Sequence, residues 1–373
     1  MRIAYYDRRG SGKMKTWLVS ALVATFAAFL FCTLSAQSQS TVLPLGKIDK
    51  NAIIKLSACP LGYYPGMTCY AGKVYGCSNT VNLGFTYGTL NPALPAVGTV
   101  VFLEGGGGDD PFVDPHYANK YLQQNLQVVY LAWDSDWEYT GVNSGTSIKY
   151  AACRPATFLN YVYENLNNTG AAMCAQGASA GAGAFAYALA WYGSSSFLDN
   201  VEMLSGPVFS DIKQGCEVPN AHPITVCPTG QLGCVGKQWS DSPVYVGNDE
   251  ELVGPWSGFN VCNEGTTTSP TVESAWKSMS IVDGTRNPSF NYPQTALAGW
   301  LCSNVTSKQN NSAAQGQYFY EQFTSRIQTA SYSVTRIDHC QGTEGVDQGT
   351  TPKGELGVDA IGNDMISACR KRH

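Results

Sequence analysis

Gly177, Ser179 and Gly181 stand at alternate positions in the stretch CAQGASAGAGAF, residues 174–185. A serine on a sharp turn between a strand and a helix presents its hydroxyl outward, and G-x-S-x-G is the pattern that permits such a turn. The two glycines let strand and helix approach closely, and Ala178 and Ala180 add no bulk. The chemistry open to a hydroxyl held that way is nucleophilic attack on an acyl carbon. A chain rich in Gly, Ala and Ser also produces the motif by chance, which would make it a packing turn. The apolar segment before it and the alanine-rich run after it favour the strand-turn-helix setting.

Attack on an acyl carbon leaves negative charge on an oxygen, which fixed backbone amides can stabilise. The run FLEGGGGDD follows an earlier apolar segment, so Gly106 or Gly107 is expected to supply one amide and Ala180 the other. The alternative is a merely flexible loop. A phosphate cradle is disfavoured, because no Lys-Ser/Thr follows and Asp109 and Asp110 would repel phosphate. The base follows by elimination among four histidines. His373 is terminal, His116 precedes the serine and His222 lies in a cysteine-rich stretch, which leaves His339, directly after the apolar run SYSVTRI.

The orienting acid is expected at Asp283, the end of the strand candidate SMSIVDG before the one that delivers His339. Asp211 is its chief rival, Asp249 a weaker one and Asn287 a neutral alternative; Asp-Gly is also ordinary turn chemistry. In WDSDWEY, Trp133, Trp137 and Tyr139 are candidates for a sugar- or aryl-facing wall, with simple packing as the alternative.

These residues need elements to hold them. GKVYGC and LGFTYGTL read as short strands of an opening hairpin. Buried strands are expected at 97–108, at 125–133, at the segment leading to Ser179, at 200–207, at 277–284 and at 331–340. Helical stretches separate them, including AGAFAYALAWYG, which ends at Gly193. Strands alternating with helices point to an α/β fold, a mostly parallel sheet with helices on both faces. Residues 207–276 carry Cys216, Cys227, Cys234 and Cys262 in an irregular stretch and read as a disulfide-pinned cap inserted into one catalytic domain over 37–373.

Lys13 and Lys15 precede the apolar run TWLVSALVATFAAFLF, and LSAQSQS follows it, so residues 1–36 read as a signal peptide, with Met14 as an alternative start. The run turns polar after about Phe31, too soon for a span of roughly 20 apolar residues, so no stable membrane insertion is expected. A secreted or periplasmic protein follows. Cleavage removes five basic residues and one acid, taking the formal charge from −5 to −9. A surface that acidic does not seek polyanions, which argues against nucleic acid as a partner. Thirteen cysteines become twelve when Cys32 is lost. With no C-x-x-C pair and no zinc-like Cys/His spacing, six disulfides in an oxidising compartment are expected and neither a metal nor a cofactor is implied.

Several fragments resemble a known family. EGGGG, GASAGAGA, VEMLSGPVFSDI and HCQ are similar to the corresponding stretches of pectin acetylesterases and Notum-type carboxylesterases, within the α/β-hydrolase superfamily. The departures are Ala178, where that family commonly has cysteine, and Gly108, where it has tryptophan. The resemblance implies an α/β-hydrolase fold and a serine esterase with Ser179, Asp283 and His339 as its triad. The substrate would be a small-molecule or polysaccharide ester and the protein a monomer. An acidic protein acting on polyanionic pectin would be electrostatically odd, so that substrate does not carry over. Two rivals stand beside this reading: a serine peptidase or amidase using the same triad, and a non-catalytic binding protein on the same scaffold.

Overall fold

The strands at the centre of the sheet are built from unbroken apolar runs. β5 (Gly98–Leu103, GTVVFL) and β6 (Leu126–Trp133, LQVVYLAW) are buried along their whole length, as strands covered on both faces must be. The structure is a computed structural model and describes residues 42–78, 80–111, 114–138, 148–212, 278–282, 291–302, 311–322, 328–340 and 345–370. The remaining strands are β1 (Lys47–Ile48), β2 (Ile54–Lys55), β3 (Thr68–Tyr75), β4 (Leu83–Leu90), β7 (Ala172–Ala178), β8 (Asn200–Leu204), β9 (Asn291–Cys302) and β10 (Gln328–Ile337). The helices are α1 (Pro115–Gln123), α2 (Ile148–Ala151), α3 (Cys153–Asn165), α4 (Ala180–Tyr192), α5 (Asn311–Glu321) and α6 (Gly357–Ala368).

The ten strands among the described residues join one sheet in the order β1-β3-β4-β6-β5-β7-β8-β9-β10, with β2 also paired to β3. From β6 to β10 every neighbouring pair is parallel. β4 runs antiparallel to both β3 and β6. From β3 onward this is a run of eight strands with only the second reversed and β5 and β6 exchanged in position. That is the α/β-hydrolase fold. One face carries α3 and α4 over a core that includes Phe85, Trp133, Phe158 and Phe185. The other carries α1 and α6 over Phe102, Tyr117, Tyr121, Tyr130 and Ile361.

Local sequence explains several boundaries. α4 is buried at every residue, the condition of a helix that is apolar all round, and it stops at Gly193 in the left-handed conformation, φ 70°. α1 begins at Pro115, with the Asp114 side chain accepting from the His116 backbone N–H at 2.7 Å.

Among the described residues of the strand expected at 277–284, none lies in the sheet. Residues 278–279 are helical and 281–282 form a turn. The strand that precedes β10 is β9, which begins only at Asn291. Met279, Ile281 and Val282 are buried without being in the sheet; a short apolar run reports burial, not the element that delivers it. β9 opens on Asn291, Pro293 and Gln294, which disguise it as a loop.

Four disulfides lie among the described residues: Cys59–Cys69, Cys77–Cys153, Cys174–Cys369 and Cys302–Cys340. Such bridges fit an oxidising compartment. Cys216, Cys227, Cys234 and Cys262, most of the expected cap and the expected signal segment lie outside the described residues. Among the described residues no helix is long and apolar enough to cross a membrane.

Candidate active site

Ser179 occupies the single residue between β7 and α4, with φ 49° and ψ −112°. No ordinary well of an L-residue lies there, and such strain persists only where the surroundings impose it. They do so on both sides. The Ser179 backbone N–H donates to the Leu204 carbonyl at the end of β8, 2.8 Å, and its carbonyl accepts from Gly183 N–H, 3.0 Å. A Cβ on Gly177 would lie 2.7 Å from the Gly181 carbonyl carbon and 2.8 Å from the Ala182 nitrogen. A Cβ on Gly181 would collide with the Leu103 carbonyl oxygen and lie 2.6 Å from that of Glu104. Both glycines of the motif are therefore required by contact, and the second brings the end of β5 against the elbow. Ser179 keeps 9% of its surface exposed.

The glycine loop after β5 is thereby placed beside the serine. Gly105 is the member that touches it: a Cβ there would stand 3.1 Å from Ser179 Cβ. Sequence reasoning singled out Gly106 and Gly107 and passed over Gly105, although the EGGGG run contains it. The loop's carbonyls are committed inward, Gly105 to Gly108 N–H at 3.2 Å, Gly107 to Trp137 N–H at 2.9 Å and Gly108 to Trp133 N–H at 2.8 Å. Gly106 has φ +57° and open space where a Cβ would sit. Ala180 opens α4, and the first N–H groups of a helix lack intrahelical partners and face its positive end.

Trp133 and Trp137 do not form a wall toward a substrate. Both are buried, Trp137 completely, with their Cδ1 atoms 3.2 and 3.3 Å from where a Gly108 Cβ would sit. The indoles floor the glycine loop. Tyr139 lies outside the described residues.

His339 follows β10 in the left-handed conformation, φ 57°, with its side chain exposed. Two devices fix its loop. Asp338 exchanges backbone hydrogen bonds with Thr350, 2.7 Å each way, and Cys340 is bonded to Cys302 at the end of β9. In register, Ala178, Leu204, Trp300 and Thr335 form one row across β7 to β10. Ser179 and His339 therefore both leave the sheet at its carboxyl edge, where ligands of open α/β sheets bind. His116 is occupied elsewhere: its Nε2 lies 2.9 Å from Asp359 Oδ1, joining α1 to α6.

Asp283, Asn287, Asp249 and His222 lie outside the described residues. Asp211 lies within them, at the end of the loop that follows β8, and is half-buried. Its backbone N–H donates to Gln315 Oε1 at 2.7 Å and its carbonyl accepts from Gln315 Nε2 at 3.0 Å. Among the described residues no group of three or more His, Cys, Asp or Glu side chains is placed to hold a metal ion.

No protein-family profile matches the chain, and no curated protein matches it in sequence. Solved structures similar to it include acetyl xylan esterase 1 from Thermoanaerobacterium sp. JW/SL YS485, 11% identical over 80% of this chain and 84% of that one, TM-score 0.48. Another is an acetyl xylan esterase from Paenibacillus sp. R4, 13% identical over 87% and 89%, TM-score 0.47. A third is Est1E from Butyrivibrio proteoclasticus with ferulic acid bound, 11% identical over 78% and 97%, TM-score 0.45. The α/β-hydrolase fold of this chain rests on its own strand order and elbow.

Proposed function

We propose that the protein is a secreted serine hydrolase that cleaves carboxylic esters through an acyl-enzyme. The observation that carries this reading is the elbow: Ser179 held at φ 49°, ψ −112°, with the glycine loop against it through Gly105. Strain of that kind, at the carboxyl edge of a sheet, clusters at functional positions. In the proposed reaction Ser179 Oγ attacks the acyl carbon while His339 takes its proton. The carbonyl oxygen becomes an oxyanion held by the amides of Ala180 and of Gly106 or Gly107. His339 then returns the proton to the departing alcohol, and a water molecule, deprotonated by the same imidazole, releases the acid and frees the serine. A carboxylate later in the chain, Asp283 or Asp211, holds the imidazolium. No metal or cofactor takes part in these steps. Residues 207–276 are assigned as a cap, and residues 1–36 as a cleaved signal. The fragments shared with pectin acetylesterases and Notum-type carboxylesterases support an acyl group on a carbohydrate or a small molecule as the substrate.

The test is covalent labelling with an alkyl fluorophosphonate, read by intact mass and peptide mapping, alongside hydrolysis of acyl esters and of matched amides. One adduct on the peptide containing Ser179 is expected, with esters turned over faster than amides. Ser179→Ala should lose label and at least about 10⁴-fold in kcat. A variant that retains a tenth of the wild-type rate refutes the reading. Faster turnover of amides would make the protein a peptidase or amidase.

A further inference from the structure

We propose that Asp211, rather than Asp283, orients His339, and that helix α5 positions the pair through Gln315 and Gln317. The proposal rests on the serine-hydrolase reading and names one of its working parts.

The corrected strand order removes the ground for Asp283. Its residue type was right for a carboxylate at the tip of the strand before the histidine strand, but that strand is β9, which ends at Cys302. The eight residues that follow, SNVTSKQN, contain no carboxylate. Asp283 instead follows a turn, Ile281–Val282. The next parallel strand inward is β8, and the loop after it carries Asp211. The chain order serine, carboxylate, histidine is preserved.

The loop after β8 is held at the elbow and on both flanks. Ser205 N–H donates to the Trp300 carbonyl at 2.8 Å, and a Cβ on Gly206 would lie 3.1 Å from the Ser179 carbonyl oxygen. On one flank Ile281 and Val282 donate their backbone N–H groups to the carbonyls of Phe209 and Ser210, 3.0 Å each, while Ser280 Oγ accepts from Ile212 N–H at 2.9 Å. On the other flank Gln315, 1% exposed, grips Asp211 by both main-chain groups. A buried amide spent on clamping one backbone unit fixes where that residue's side chain starts.

The same helix reaches the histidine strand. Gln317 Oε1 accepts from the Arg336 guanidinium, three residues before His339 on the chain. Residues two apart on a helix point about 200° apart around its axis, so Gln315 and Gln317 serve opposite flanks. Gly316 between them lets α5 sit directly on the Gly206 carbonyl, which a Cβ would strike. β8 and β10 are two strand spacings apart, roughly 9.5 Å. Loops leaving strands this far apart can bring an aspartate and an imidazole, each reaching about 3.5 Å from its Cα atom, to a hydrogen-bond distance of about 2.8 Å.

The experiment compares full-length wild type with Asp211→Asn, Asp283→Asn and Gln315→Met, measuring kcat, KM and the pH profile of ester hydrolysis. Asp211→Asn should lower kcat on the order of 10⁴-fold with KM within threefold, as expected when a triad imidazole loses its orienting carboxylate. Gln315→Met keeps the buried volume and removes both clamps. It should lower kcat at least tenfold and move the acidic limb of the profile to lower pH, because an imidazole less well paired with a carboxylate is easier to deprotonate. Asp283→Asn should stay within threefold. A large loss at Asp283→Asn, or a profile unmoved by Gln315→Met, overturns the proposal. Should Asp211→Asn fail to fold, those two variants decide. A wild type that takes no phosphonate label would instead refute the hydrolase reading itself.

Discussion

Replacing Ser179 by glycine should give a more stable protein than replacing it by alanine, against the usual cost of glycine. Both variants lose the hydroxyl, so the comparison isolates the backbone. At φ 49° and ψ −112° a residue with a Cβ carries strain toward the top of the range of about 1–3 kcal/mol, because ψ falls far outside the left-handed helical well. Alanine keeps that strain; glycine relieves it. Against the relief stand glycine's greater loss of chain freedom, about 0.5–1 kcal/mol, and one buried methyl, about 0.8 kcal/mol. The balance favours glycine by about 1 kcal/mol. Equilibrium urea unfolding with the disulfides intact reads this as a higher midpoint at unchanged slope. An alanine variant at least as stable as the glycine variant would show that the elbow stores no strain and would remove the main physical support for a catalytic serine.

Two further outcomes are expected. Cys174–Cys369 closes a loop of 195 residues, worth roughly 5 kcal/mol of loop entropy. Cys302–Cys340 shortens that loop by 38 residues and changes the figure by only about 0.2 kcal/mol. The double variant Cys174→Ala/Cys369→Ala should thus lose a large part of a stability of order 5–15 kcal/mol; a loss under about 2 kcal/mol in guanidinium unfolding counts against this. Glu202 in β8 is fully buried, and burial, with Asp364 adding to it and the Trp300 indole opposing it, holds its pKa well above the usual range. Folding therefore takes up a proton above the unfolded value of about 4.3, and this contribution to stability falls as pH rises from there. Glu202→Gln should exceed wild type by more than about 1 kcal/mol at pH 8 and converge on it near pH 4. An equal difference at both pH values would refute the ionisation argument.

The parts of the fold that were legible in the sequence are those whose residues state one periodicity without interruption. β5, β6, β7 and β8 lie where their apolar runs place them, and α4 ends at the glycine that ends its pattern. The hairpin of β3 and β4 was marked by alternation and turn residues. β9 was not legible, because its first residues are polar and carry a proline while a nearby buried turn, SMSIV, imitates a strand. Burial alone produces that imitation: Ile281 is as fully buried as any residue of β5. The displaced strand is the reason the acid was sought at Asp283.

At the elbow the sequence supplied residue types but not contacts. Four consecutive glycines read alike, and they do four different things. Gly105 must lack a side chain because Ser179 stands against it; Gly107 because a Cβ would strike the Asp136 carboxylate; Gly108, at φ 70°, because Trp133 and Trp137 rise beneath it. Only Gly106 faces open space, and its own requirement is a positive φ, +57°. Gly106 is also the exposed member of the loop among the described residues. That separation of roles ties the two tryptophans to the site indirectly. Their buried rings pack against Gly108, so an error of packing at Trp133 or Trp137 would shift the loop backbone and with it the amides proposed to hold the oxyanion.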